Sequence, residues 1–253
     1  VKVTFLGTGT SQGVPLIACE CVVCQSNDER DKRLRTSALI SQSGVNILID
    51  AGPDFRQQML SAKVKTLDAI LFTHEHRDHI AGLDDVRAFN FLMQRPMDVW
   101  AEERVQESLK CHFSYAFEEE KYPGAPEIVL NPIDGQPFEV QGLRVIPIRA
   151  FHYKLPIFGF RIGDFCYLTD VNFLPEEEKE KLVGCKYIAI GALRQQKHIS
   201  HYSLPEALKF ISEFSPRKAF ITHVSHQMGL YERVQRTLPD NVMLAYDGLV
   251  IDI

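Results

Sequence analysis

The run DAILFTHEHRDH, residues 68–79, constrains this chain more than any other stretch. An apolar segment, AILF, leads straight into His74, His76, Asp78 and His79, so three imidazoles and a carboxylate fall within six residues. Short apolar runs bounded by turn residues read as strands buried on both faces. Metal-competent side chains at the end of such a strand sit on a loop that a rigid sheet holds in place. The turn can aim alternate side chains at two points, and so can serve two metal ions. Beyond it Ile80, Leu83, Val86 and Phe89 recur at helical spacing, which predicts a helix after the loop.

The same arrangement recurs along the chain. VIPIRAFH ends on His152, FCYLTD on Asp170 and KAFITH on His223, each a strand-like run closing on a metal-competent side chain. The first quarter is strand-rich: VKVTFLG, TSALISQ and VNILIDAG alternate or run apolar, with a Ser43-Gly44 turn between the last two. DFRQQMLSAKV reads as a short helix with Asp54 as a candidate N-cap, and residues 103–120 read as helical. The second half alternates strand and helix: PEEEKEKLV, KYIAIG, LPEALKFISEF, KAFITH, a last helix, and MLAYDGLVIDI. Ser203 and Glu206 form a capping box with Pro205 in the first turn. Strands first, then alternation, predicts two packed sheets covered by helices. No low-complexity tract or linker divides residues 1–253, so a single α/β domain is expected.

With 253 residues and 45% hydrophobic content, the chain can bury a large core. Its formal charge of −5 lacks the basic footprint of a nucleic-acid binder. No apolar run approaches the roughly 18–20 residues of a membrane span. The opening VKVTFLGTG shows no signal-peptide pattern, so a cytoplasmic location is the expectation. Of six cysteines, Cys19, Cys21 and Cys24 crowd into CECVVC, a spacing suited to metal rather than to a disulfide framework. Cys111, Cys166 and Cys185 stand alone in apolar surroundings and read as small core residues.

The motif H-E-H-R-D-H after a strand resembles that of the metallo-β-lactamase superfamily, and the resemblance covers essentially the whole chain. It implies a four-layer αββα sandwich with a binuclear centre at the edge of its sheets. By the same resemblance His74, His76 and His152 hold one divalent ion, Asp78, His79 and His223 hold the other, and Asp170 bridges them. Asp50, in ILIDAG, corresponds to the early aspartate that supports the metal loop without ligating. Imidazole and carboxylate ligands suit Zn²⁺, Mn²⁺ or Fe²⁺, so ligand type leaves the metal open, with Mn or Zn expected. An aspartate in the bridging place, where β-lactamases carry a cysteine, points to the phosphodiesterase branches.

GTGTSQGVP followed by CECVVC narrows the resemblance to the phosphoribosyl 1,2-cyclic phosphate phosphodiesterases of phosphonate catabolism. In that family C-x-C-x₂-C supplies three ligands of a structural zinc, and the second histidine of an H-x-x-H completes the tetrahedron; here that is His226. His201, in KHISHYSL, matches a histidine near the scissile phosphate, able to donate a proton or a hydrogen bond there. Asp78 and His201 are therefore the catalytic candidates. Arg35, Arg194 and Lys197 are candidates for a second phosphate, while His198 reads as a surface residue and His112 as structural. The expected activity is hydrolysis of a small, cyclic phosphodiester such as a phosphoribosyl cyclic phosphate, by a chain that the family resemblance would make a homodimer. Three alternatives share parts of the pattern: tRNA 3′-processing endonucleases, the metallo-β-lactamase-fold protein of pyrroloquinoline quinone biosynthesis, and a binding module whose ions do not activate water. The negative charge and the absence of a basic Gly-rich arm speak against tRNA.

Overall fold

The apolar runs become fourteen strands in two stacked sheets, described over residues 1–253 in a computed structural model. In chain order the strands are β1 (Lys2–Gly7), β2 (Ser37–Gln42), β3 (Val45–Ile49), β4 (Ala69–Leu71), β5 (Met97–Ala101), β6 (Ile128–Pro132), β7 (Phe138–Val140), β8 (Leu143–His152), β9 (Leu155–Ile162), β10 (Phe165–Leu168), β11 (Tyr187–Gly191), β12 (Lys218–Thr222), β13 (Val242–Leu244) and β14 (Val250–Asp252). One sheet runs β14-β1-β2-β3-β4-β5-β6 and the other β13-β12-β11-β10-β9-β8-β7. The helices are α1 (Phe55–Ser61), α2 (Arg77–Ile80), α3 (Arg87–Met93), α4 (Glu103–His112), α5 (Glu176–Lys179), α6 (Leu204–Phe214) and α7 (Tyr231–Gln235).

Strand periodicity explains the four layers. Side chains alternate across a strand, so a strand buried on both faces must be apolar at every position. In β3, Ile47 and Ile49 enter the core between the sheets, whereas Leu48 joins the layer under α1 to α4. In β12, Phe220 faces the middle core while Ala219 and Ile221 pack under α6 and α7. The result is three apolar layers between four layers of secondary structure, the αββα sandwich. Each fully buried Leu, Ile or Phe contributes about 1.5–3 kcal/mol. No helix is long and apolar enough to cross a membrane.

Several local expectations are corrected. Asp54 precedes α1 but makes no cap bond; its carboxylate instead accepts the Arg35 N–H at 2.7 Å and pairs with the Arg35 guanidinium at 3.0 Å. The helix expected over 103–120 stops at His112, with a separate 3₁₀ turn at Ser114–Ala116. PEEEKEKLV forms only one α-turn, α5, and a 3₁₀ turn. Cys111, expected in the core, is exposed on α4, whereas Cys166 and Cys185 are buried. The Ser43-Gly44 turn forms, both residues taking positive φ.

β3 to β6 are mutually parallel, as are β10 to β13. Asp50, Asp170 and His223 each follow the C-terminal end of one of these strands, and all three are non-glycine residues with positive φ, at 62°, 56° and 55°. Such backbone is sparsely populated and persists only where the surroundings enforce it. The ends of β3 and β4 from one sheet and of β10 and β12 from the other thus meet in a common cleft.

Candidate metal centre

The loop after β4 is fixed from beneath by Asp50. Its Oδ1 accepts the Thr73 N–H at 2.9 Å, and its Oδ2 accepts the Thr73 hydroxyl at 2.9 Å and His79 Nδ1 at 2.6 Å. Asp50 and His79 are both wholly buried. Having given its proton to Asp50, the Thr73 hydroxyl can only accept from His74 Nδ1, 2.9 Å away. Both rings are thereby held as Nδ1–H tautomers with the Nε2 lone pair turned inward. His152 is oriented likewise, its Nδ1 donating to the Ser200 carbonyl at 2.8 Å. Gly52 makes the close packing of the loop feasible, since a Cβ there would stand 2.0 Å from the Asp78 carbonyl oxygen.

Freed lone pairs and carboxylates converge. His74 Nε2 lies 3.1 Å from His76 Nδ1, and the His76 and His152 rings are 5.2 Å apart. His79 Nε2 is 3.2 Å from Asp78 Oδ2 and 3.2 Å from Asp170 Oδ2, and Asp170 Oδ2 is 3.1 Å from His223 Nδ1. The ligating atoms of Asp78, His79 and His223 lie within 4.8 Å of one another, as do those of His74, His79 and Asp170. His152, Asp170 and His201 form a third such group. All seven residues expected at a binuclear site are therefore neighbours, with His201 beside them.

His79 Nε2 is buried and has no hydrogen-bond partner. A buried polar atom left unpaired is costly, so one aimed at two carboxylates calls for a bound species between them. Charge gives the same indication. Burial alone would lower the His79 imidazole, yet the carboxylates of Asp78, Asp170 and Asp50 outweigh it and push it well above its ordinary range. Burial would raise Asp170, but His223 and His79 hold it well below the usual carboxylate range. The cluster demands positive charge at its centre, and imidazole nitrogens with carboxylate oxygens are the donor set of a divalent cation. The residues fit the group.

His201 is mostly buried, with its ring 4.5 Å from that of His152 and 5.0 Å from that of His223, and Nδ1 3.7 Å from Asp170 Oδ1. Burial, reinforced by the neighbouring His223 and His152, lowers its pKa to about 3 against the pull of Asp170. Its imidazole is neutral near pH 7, so it offers an N–H for hydrogen bonding rather than a stored proton. His198, expected at the surface, is half-buried at 5.2 Å from His201, and burial together with Arg194 lowers it as well.

A second cluster lies close by. Cys19, Cys21, Cys24 and His226 offer ligand atoms within 4.8 Å of one another. The Cys24 N–H, followed by His226, lowers the Cys21 thiol to about 6, while burial, opposed by the Leu16 N–H and reinforced by Cys19 and Cys21, raises Cys24 to about 11. A Cys21 thiol that ionises readily beside a Cys24 thiol that resists it, with Cys19 and His226 in reach, is the complement of a thiolate-bound cation.

Other expected residues lie elsewhere. Arg35 pairs with Asp54, Lys197 is exposed and reaches Glu206 at 3.7 Å, and His112 bonds Ser108 one turn back, its Nδ1 2.8 Å from the carbonyl and 3.3 Å from the hydroxyl. The sequence reading missed a clamp around the metal loop. Glu75, between His74 and His76, pairs with Arg104, whose other terminal nitrogen donates to the Pro156 carbonyl at 2.6 Å. Arg104 thus ties the histidine loop to the hairpin that carries His152. The position of Glu75 inside the motif was the only available signal.

The family described as "Beta-lactamase superfamily domain" matches residues 45–224. A protein of Porphyromonas gingivalis named "Octanoyltransferase" is 41% identical over 252 residues, covering 98% of this chain and 51% of the relative. The chain spans about half the length of the curated relatives it matches first, 51% and 54% of them. The crystal structure of "a New Diphosphatase from the PhnP Family" superposes with a TM-score of 0.93 at 36% identity, over 99% of this chain and 96% of that one. Zn²⁺-bound PqqB from Methylobacterium extorquens shares the fold, with a TM-score of 0.82 at 18% identity over 100% of both chains.

Proposed function

Because the chain belongs to the metallo-β-lactamase superfamily, among its PhnP-like members, we propose that it is a metal-dependent hydrolase cleaving a P–O bond in a small phosphodiester or diphosphate. The observation that carries this reading is the position of Asp170, with one oxygen within 3.2 Å of both His79 Nε2 and His223 Nδ1 and the other facing His201. A carboxylate so placed joins two ligand sets: His74, His76 and His152 on one side, and Asp78, His79 and His223 on the other. Two divalent ions held there, Mn²⁺ or Zn²⁺, would supply Lewis acidity and water activation at neutral pH.

The remaining work falls to the chain. Asp50 and Thr73 fix ring tautomers, so the donor atoms are preorganised before a ligand arrives. Asp78, in the first turn of α2, brings a carboxylate that the neighbouring His79 and His223 keep ionised against burial. His201 donates its imidazole N–H to a phosphoryl oxygen, where negative charge grows during displacement. Cys19, Cys21, Cys24 and His226 would hold a separate structural zinc.

A cyclic phosphodiester, the substrate expected from the sequence, and a diphosphate, the linkage named for the structural relative, share a phosphorus between two bridging oxygens. The proposal rests on that common chemistry. The octanoyl transfer named for the P. gingivalis protein belongs to a chain about twice as long, and the imidazole–carboxylate cluster gives no reason to extend it here. The test is turnover by the metal-loaded protein of a panel: bis-p-nitrophenyl phosphate, a 2′,3′-cyclic nucleotide, a ribose cyclic phosphate, ADP-ribose and a pre-tRNA. Hydrolysis of small substrates with the pre-tRNA left intact supports the reading. Cleavage of the pre-tRNA alone overturns it.

A further inference from the structure

His76 differs from His74, His79 and His152. Those three rings are each fixed through Nδ1, by the Thr73 hydroxyl, Asp50 and the Ser200 carbonyl respectively. His76 has no such partner: its ring bonds only to His74, at 3.1 Å, and it stands exposed at the mouth of the cleft. A ligand without a group behind it depends on its backbone for its aim.

That backbone is tied to β9 at two points. The Thr73 carbonyl accepts the Phe158 N–H at 3.0 Å, just before the first histidine. Further along, Glu75 pairs with Arg104, in the first turn of α4, and Arg104 Nη2 donates to the Pro156 carbonyl at 2.6 Å. Pro156 lies opposite Phe151 in the β8–β9 ladder, next to the pairing of His152 with Leu155. Arg104 Nη2 is also 3.3 Å from Glu102 Oε2, and Glu102 accepts both terminal nitrogens of Arg149, in β8, at 2.6 and 3.1 Å. A planar guanidinium suits such a junction because its fork sends donors in fixed directions. Glu75 Oε2 is buried without a partner, so this carboxylate relies on Arg104 alone. Deprived of that cation it must turn to water, and the residue between the two histidines moves with it.

Arg104 therefore spans the seam between the loop that carries His74 and His76 and the hairpin that carries His152. Asp78 and His79 lie beyond that seam in α2, with His79 held by Asp50, and His223 follows β12. We infer that Glu75 and Arg104 are a positioning pair that sets the spacing of His76 and His152, whose rings are 5.2 Å apart, and so governs the affinity of one metal position separately from the other. The inference rests on the two-ion reading above and goes beyond it: the position at His74, His76 and His152 is sensitive to α4, and the position at Asp78, His79 and His223 is not.

The experiment titrates Mn²⁺, which suits imidazole and carboxylate better than thiolate, into protein cleared of cluster metal by mild chelation. Free ion is followed by EPR for the wild type, Arg104→Met, Arg104→Lys and Arg95→Met. Arg95 pairs with Asp68 at 2.6 Å, away from the cluster, and controls for the loss of one arginine pair. Arg104→Met is expected to weaken one of the two ions by about 10–100-fold, the scale for removing a group that supports a ligand, and to leave the other within threefold. Arg104→Lys, which keeps the charge but loses the fork, should fall between, and Arg95→Met should titrate as wild type. The affected ion should be the one lost in His152→Ala, so the Arg104→Met/His152→Ala double variant should bind its remaining ion as His152→Ala does. A purely structural role would lower Tm without separating the two dissociation constants. An Arg104→Met curve equal to wild type, equal weakening of both ions, the same curve from Arg95→Met, or further weakening in the double variant overturns the inference. A wild type that takes up fewer than two Mn²⁺ overturns the two-ion reading itself.

Discussion

Cys19 Sγ lies 3.3 Å from His226 Nδ1 across 207 residues of sequence, and Cys21 Sγ lies at the same distance from that nitrogen. The contact closes a very long loop. It also sits next to the catalytic cleft, since only two residues separate His226 from His223, and Ser225 between them is anchored to the Leu193 carbonyl at 2.9 Å. A zinc held there would brace the strand end that presents His223.

Cys21→Ser is therefore expected to destabilise the chain by about 3 kcal/mol, seen as a fall in Tm of about 6–12 °C. Activity should fall too, although Cys21 touches no metal-facing group of the main cluster. His226→Ala should reproduce both losses, whereas His223→Ala should lose activity with a smaller change in Tm. Thermal melts and diester turnover on the three variants decide it; a Cys21→Ser chain with wild-type Tm would refute the zinc knot.

Asp50→Asn should weaken metal binding by about 10–100-fold, the usual effect of removing a partner that orients a ligand. The amide oxygen can accept from one donor group, but the NH₂ cannot accept from His79 Nδ1, so His79 loses its enforced tautomer. Metal titration monitored by Co²⁺ absorption gives the affinity independently of turnover. Unchanged affinity would mean that Asp50 serves the backbone alone.

His201→Ala should cost about 10²–10³-fold in kcat, the range for loss of a preorganised donor to developing charge. Because burial holds His201 near a pKa of about 3, its ring carries no spare proton at pH 7. Losses on an alkoxide-leaving substrate and on a p-nitrophenyl ester should therefore be similar. A loss far greater for the alkoxide would instead make His201 the general acid.

Asp247 gives a pH signature away from the metals. Burial raises its carboxyl to about 6 from 3.8, despite bonds from the Leu34 N–H and the Thr8 hydroxyl. Between those values the folded chain holds a proton that the unfolded chain releases, so stability contributed by this group falls as pH rises from about 4 to about 6. The shift of about two units corresponds to about 3 kcal/mol. Denaturant melts of wild type and Asp247→Asn should show wild type losing stability relative to the variant over that window; a parallel pair of curves would contradict the assignment.

The parts legible in the sequence were those in which one segment carries its own signal. AILF announced β4, and HEHRDH placed four metal-competent side chains on one loop. CECVVC marked a metal knot because thiols so close together have little other use. β9 was hidden because Pro156 and Gly159 interrupt its apolar pattern; a Cβ at Gly159 would stand 2.4 Å from Leu168 Cδ2, so this glycine marks a close strand approach rather than a break. β7 has three residues and owes its existence to pairing with β8. Cys111 looked apolar by type, but its neighbours Lys110 and His112 belong to the exposed face of α4. The supports from Ser200, Arg104 and Pro156 exist only through tertiary contact, and no local pattern encodes them.

One chain is expected to hold two separable metal populations, a catalytic pair among the histidines and a zinc among the cysteines. Metal content per chain, measured with phosphodiester turnover before and after brief mild chelation, tests it most directly. Three bound metals are expected to fall to one, with activity lost, Tm largely retained, and turnover restored when divalent metal is returned. A chain that binds only two metals, both lost together when His223 is replaced, would contradict it.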